Sequence, residues 1–112
     1  MPSTTALPLV QGTLDLLVLR TLAAGPMHGY GIASLVDERT RGELIIEDAA
    51  LYQALYRLER KGLVDSEWGT SEKNHRAKYY TITPAGRRAV EEQAVRWRRL
   101  SALVNKLLLD EG

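Results

Sequence analysis

At 112 residues with a net charge of +1, the chain has room for one small domain and a modest core, and none for a two-domain enzyme. It has no cysteine and no phenylalanine, which excludes disulfides, thiolate metal sites and a cysteine nucleophile, and leaves the core to Leu, Val, Ile, Ala, five Tyr and two Trp. No apolar run approaches the ~20 residues that span a bilayer, and the N-terminus lacks a charged segment followed by an apolar one, so a cytoplasmic protein is expected. The charge is unevenly placed: eight Lys/Arg fall between Lys73 and Arg99, against Glu91 and Glu92.

Residues 1–9 contain Pro2, Pro8 and small polar side chains and read as a flexible arm. Gln11 to Ala24 reads as a helix that Leu14, Leu16, Leu17, Val18, Leu19 and Leu22 make apolar over most of its circumference. Such a helix needs cover on two sides, and a second subunit is the expected source of one, with Leu14 and Leu17 at that interface. Gly25-Pro26 stops it. A second helix follows the segment Met27-His28-Gly29-Tyr30-Gly31 and runs to about Arg39, with Ile32, Leu35 and Val36 inward. A lone His beside a helix start caps or packs more often than it titrates, and Gly29-x-Gly31 with no strand before it is a weak phosphate-loop signal. Tyr30, at a helix N-terminus, is placed to touch a phosphate. Arg41-Gly42 makes a turn, and Leu44 to Ile46 reads as a short extended piece.

The stretch Asp48 to Gly62, DAALYQALYRLERKG, is the most informative in the chain. Leu51, Ala54, Leu55 and Leu58 share one helical face, with Asp48 as expected N-cap and Gly62 as terminator. Away from that face lie Ala49, Gln53, Tyr56 and Arg60, flanked by Tyr52 and Arg57, with Ala50 beside Ala49. Solvated faces usually carry Glu/Lys pairs. This one offers small alanines that permit close approach, then an amide, phenols and guanidiniums that hydrogen-bond and neutralise phosphate.

Leu63 to Trp68 reads as a strand, Gly69 to Ala77 as an exposed loop, and Lys78 to Thr83, KYYTIT, as a second strand. A hairpin with Lys73, His75, Arg76 and Lys78 at its tip and return edge, directly after a presumed recognition helix, reads as a wing that grips phosphate. Thr83-Pro84 then opens a last helix to about Leu109, some 26 residues or roughly 39 Å. Val90, Trp97 and Val104 fall seven apart on it, as do Leu100 and Leu107, while Ala94, Ser101, Leu103 and Leu108 widen the stripe. That heptad predicts helix–helix packing with a second copy, through Val90, Ala94, Trp97, Leu100, Val104, Leu107 and Leu108.

The expected fold is therefore mainly α with a small β-hairpin wing: a winged helix-turn-helix over residues 10–83 and a dimerisation helix over 84–112. In this order the residues resemble the short subfamily of the PadR family of bacterial transcriptional regulators. The matching stretches are Gly25-Pro26-x-His28-Gly29-Tyr30, Leu51-Tyr52-x-Ala54-Leu55-x-Arg57-Leu58-Glu59, Gly62-Leu63-Val64, Ser66-x-Trp68-Gly69, Arg76-Ala77-Lys78-Tyr79-Tyr80 and Ile82-Thr83-x-x-Gly86, together covering about residues 12 to 109.

The resemblance implies a homodimer, paired through its first and last helices, that binds a palindromic double-stranded DNA operator and usually represses the adjacent gene. It places DNA contacts at Tyr52, Gln53, Arg76 and Lys78. Where the family often has a Gly or a hydroxyl residue followed by Leu-Tyr-Pro, this chain has Ala50-Leu51-Tyr52-Gln53, which loses a phosphate-binding hydroxyl and gains an amide able to bond adenine in a bidentate way. On this reading Gln53 and Tyr56 face bases, and Tyr52, Arg57, Arg60, Arg76 and Lys78 hold phosphates. Some short members bind planar aromatic molecules at the dimer interface with a tryptophan on the last helix, and Trp97 is the match. Simple packing in the heptad stripe explains Trp97 as well. No cofactor or metal motif is present. The rival to a DNA-binding regulator is a winged-helix module for protein–protein contact.

Overall fold

The computed structural model describes residues 11–109; the arm expected over residues 1–9 lies outside them. The elements run α1 (Gln11–Leu22), β1 (Met27–His28), α2 (Gly29–Thr40), α3 (Asp48–Arg60), β2 (Val64–Thr70), β3 (Arg76–Ile82) and α4 (Pro84–Leu109). Leu14, Val18, Leu19 and Leu22 of α1 form the centre of the core. Ile32 and Val36 of α2, Leu51, Ala54, Leu55 and Leu58 of α3, Val64, Tyr80 and Ile82 of the sheet, and Val90 of α4 close around them. Each fully buried aliphatic of this set contributes about 1.5–3 kcal/mol, which holds the three short helices together.

Two residues expected between subunits belong to this core instead. Leu14 is 7% exposed and Val90 4%, because α2, α3 and the first turns of α4 already cover α1 on more than one side. Leu17 stays half-buried.

The helix ends follow from local chemistry. His28 N-caps α2, its Nδ1 accepting the Gly31 N–H at 3.0 Å. At the other end Arg41 (φ 52°) and Gly42 (φ 80°) turn the chain back, and the Gly42 N–H reaches the Asp37 carbonyl at 2.9 Å. The Leu44–Ile46 piece has no strand; Ile46 is buried in the core while Ile45 is exposed. Asp48 is not the cap of α3. Glu47 holds that position without a side-chain bond, and Asp48 sits in the first turn, where its charge opposes the positive helix end. At the C-terminus of α3 the Leu63 N–H reaches the Leu58 carbonyl (2.9 Å) and the Gly62 N–H that of Glu59 (3.0 Å), the paired bonds that a left-handed residue, here Gly62 (φ 74°), makes possible.

The sheet has three antiparallel strands in the order β1-β3-β2, where a two-stranded hairpin was expected. β1 pairs Met27 with Tyr80 and His28 with Tyr79, and so ties the start of α2 to the wing. A two-residue strand is too short to show any alternation. β2 and β3 pair from Val64↔Ile82 out to Thr70↔Arg76, so Arg76 and Ala77 stand on a strand and only Ser71 to His75 form the tip.

Thr83 binds α4 to the end of α3. Its hydroxyl accepts the Gly86 N–H (3.0 Å) and donates to the Gly62 carbonyl (2.8 Å). Gly86 is required there, since a Cβ would run into the Leu63 carbonyl. Beyond Val90, α4 leaves the body of the domain and has no further buried residue. This extension stretches the molecule to 56 × 36 × 20 Å. No helix of the described residues is long and apolar enough to cross a membrane.

Candidate nucleic-acid interface

α3 divides as its periodicity predicts. Leu51, Ala54, Leu55 and Leu58 are buried, while Ala49, Tyr52, Gln53, Tyr56 and Arg60 are exposed. Arg60 folds back along the helix, its guanidinium carbon 5.7 Å from the centre of the Tyr56 ring and its Nη1 3.5 Å from the Tyr56 hydroxyl. Ala50 departs from the expected outer face: it is partly buried and packs against the core. Arg57 departs further. Instead of standing free for phosphate, it donates from Nε and Nη2 to the two carboxylate oxygens of Asp15 on α1, at 3.1 and 2.7 Å.

Tyr52 leans back onto α2, its ring lying against Gly29, where a Cβ would overlap the phenol. The first residue of α2 must therefore be small for the phenol of α3 to take this position. Sequence reading saw the glycine only as a weak loop signal, because the partner that explains it is 23 residues away in the chain.

On the wing, Lys73, His75 and Arg76 are exposed and Lys78 is half-buried. The Arg76 guanidinium carbon lies 4.5 Å from the centre of the Trp68 ring, and Lys78 Nζ lies 5.9 Å from that of Tyr80. Trp68 is 56% exposed, too much for a core tryptophan, and the sequence, which places it at a strand end and in a family-matching stretch, does not mark it as a site residue. A large aromatic at a strand end beside a basic loop is the signal that identifies it. Burial, and after it the nearby Glu59 carboxylate, raise the Tyr80 phenol pKa. At the wing tip Glu72 lies 3.5 Å from His28 Nε2. Its carboxyl is lowered first by its own backbone N–H and then by His28.

Between the wing and the start of α2 lies a cleft of about 910 Å³. Tyr30, Tyr52, Lys73, His75, Arg76 and Lys78, six residues singled out from sequence, line it together. Tyr30 is the most open of its aromatics, at 73%. Ala49, Gln53, Tyr56 and Arg60 are exposed on α3 but do not line the cleft. The site thus has two parts, a helix face carrying an amide and a phenol, and a cationic, aromatic notch beside it. Among the described residues no group of three or more His, Cys, Asp or Glu is arranged to hold a metal ion. What the arrangement offers is hydrogen bonding and positive charge over an extended surface, which suits a polyanion.

Residues 18–92 match the Transcriptional regulator PadR-like family, well over half of the chain. The chain belongs to the PadR-like family of transcriptional regulators. Solved PadR-like structures agree. A PadR family transcriptional regulator from Eggerthella lenta is 35% identical, with 88% of this chain and 84% of that one covered and a TM-score of 0.75. A transcriptional regulator from Clostridium thermocellum is 31% identical, with 88% and 92% covered and a TM-score of 0.79. A PadR family regulator from Clostridium difficile is 31% identical, with 85% and 97% covered and a TM-score of 0.74. The winged-helix fold with its long C-terminal helix is the PadR-like fold, and the protein is a DNA-binding regulator, not an enzyme.

Proposed function

We propose that this PadR-like protein binds a palindromic operator as a homodimer and represses the adjacent gene. The observation that carries the reading is the junction of the exposed face of α3 with the cationic cleft of the wing, which offers base-reading and phosphate-holding groups side by side. Gln53 and Tyr56 meet base edges in the major groove. Tyr30, Tyr52, Arg60, Lys73, His75, Arg76 and Lys78 fix the register on phosphates, and Ala49 lets the helix come close.

The dimer reading is supported by α4. Trp97, Leu100, Leu103, Leu107 and Leu108 are 50–86% exposed in the single chain, an apolar stripe far beyond what scattered surface residues account for. Ala94 and Val104 lie within that stripe, and Leu17 of α1 is half-buried. Two copies paired along it carry two recognition helices, and successive major grooves on one side of a duplex are about 34 Å apart. Trp97 packs in the middle of this seam. A planar aromatic effector would stack there too, and quenching of Trp97 fluorescence by planar dyes separates the two roles: quenching that disappears in Trp97→Phe supports an effector site, and its absence leaves packing alone.

The experiment that tests the reading is a binding titration of the purified protein with a duplex selected from a random pool, at two salt concentrations. Steep weakening with salt on the selected duplex, together with dimeric mass in sedimentation, supports it. Monomeric mass, or binding insensitive to salt, refutes it.

A further inference from the structure

Arg57 and Asp15 are 42 residues apart in sequence and meet through two hydrogen bonds, Nε to Oδ2 at 3.1 Å and Nη2 to Oδ1 at 2.7 Å. Both side chains are mostly withdrawn from solvent, at 25% and 13% exposure. Of the two ion pairs among the described residues, this is the one whose base is always charged; the other involves His28. It joins α3, which carries the recognition face, to α1, which packs on α2, α3 and α4.

Apart from one hydrogen bond near its C-terminal end, Ser66 Oγ of β2 donating to Glu59 Oε2 at 2.7 Å, the other side-chain attachments of α3 are apolar. Leu51, Ala54, Leu55 and Leu58 set how deeply the helix sits, but burial is non-directional and a helix can roll or slide by a fraction of a turn on such a face. A two-pronged guanidinium–carboxylate contact is directional in both respects. Arg57 also lies one helical turn after Gln53, so rolling the helix at Arg57 swings Gln53 by the same angle.

Building on the operator-binding reading, we propose that Arg57 is a positioning residue, clamped by Asp15 so that α1 sets the roll of the recognition helix and with it the aim of Gln53 and Tyr56. Arg57 acts on sequence discrimination through geometry and contributes no phosphate contact of its own.

The two roles make opposite forecasts for Asp15→Asn. Loss of the clamp lowers discrimination between a selected duplex and a scrambled one of equal length by about tenfold, with the salt slope on either duplex unchanged. If Arg57 were a phosphate ligand restrained by Asp15, the same substitution would strengthen binding to both duplexes and steepen the slope by about one. Arg57→Lys keeps the charge and loses the fork, so the clamp forecasts the same loss of discrimination, whereas a simple charge role forecasts none. Melting temperature is measured alongside: a fall in melting temperature with discrimination intact in the folded protein would make the pair merely structural and overturn the proposal. Should Asp15→Asn not fold, Arg57→Lys decides by the same two readouts. The full-length parent protein is the control. If it fails to discriminate the duplexes, the operator reading itself is wrong; if it discriminates and the variants do so equally well, only the clamp is.

Discussion

Arg76 and Trp68 stand on the same face of the β2–β3 hairpin, one diagonal step apart in register, with the guanidinium carbon 4.5 Å from the indole centre. The flat guanidinium is thereby held in place before any nucleic acid arrives, and the entropy of ordering a long side chain is already spent. Trp68→Ala should therefore weaken DNA binding several-fold although Trp68 itself need touch no base. A cation–π contact at an exposed site amounts to about 0.5–1 kcal/mol. In a double-mutant cycle with Arg76→Ala, measured by fluorescence anisotropy, the two effects should be clearly less than additive. Full additivity would mean that the stack does not prepare Arg76 for binding.

Gln53 and Arg76 should fail in different ways. Gln53→Ala should change preference at one base pair by ~1–3 kcal/mol and leave scrambled DNA bound as before. Arg76→Ala should weaken binding to all duplexes and reduce the salt slope by about one. Titrations against a panel of single-base operator variants at two salt concentrations distinguish the two patterns.

The joint between α3, the wing and α4 makes a stability prediction independent of DNA. Gly86→Ala drives a methyl into the Leu63 carbonyl and to within 2.7 Å of Ile82 Cγ1, a clash with backbone that no rotamer relieves. It should cost about 1–3 kcal/mol in thermal or urea unfolding. Thr83→Ala removes the cap of α4 and the bond to the Gly62 carbonyl, for about 1–2 kcal/mol, while Thr83→Ser should be close to neutral.

The exposed stripe of α4 predicts that assembly can be broken without unfolding the domain. Leu100 and Leu107 are 52% and 86% exposed in one chain, so aspartate at both should leave the monomer core intact. Sedimentation should then report monomer mass, with circular dichroism close to the parent's. Loss of the second half-site contact should lower affinity for a palindromic duplex by roughly 10²-fold or more. Retained dimer mass would remove α4 as the seam.

Much of this was readable from sequence, and the parts that were not share a cause. The amphipathic period of α3 and the Thr83-Pro84 start of α4 are local signals, and each stands where the residues placed it. What escaped depends on partners distant in the chain. Arg57 looks like any surface cation until α1 brings Asp15 to it, and Gly29 looks like a loop residue until Tyr52 lies against it. Leu14 and Val90 fit an interface pattern by period, yet the domain's own helices reach them first. Ala50 is turned inward by its place between the two faces of α3, where periodicity alone does not decide. β1 exists only because β3 offers it an edge.

Operator recognition requires that two copies of the α3 face and its neighbouring wing together read a symmetric site. Selection of bound duplexes from a random pool measures this directly. The expected result is an enriched inverted repeat whose half-sites lie about one helical turn, 10–10.5 base pairs, apart. Enrichment of a single unrepeated site, or of no sequence at all, would contradict it.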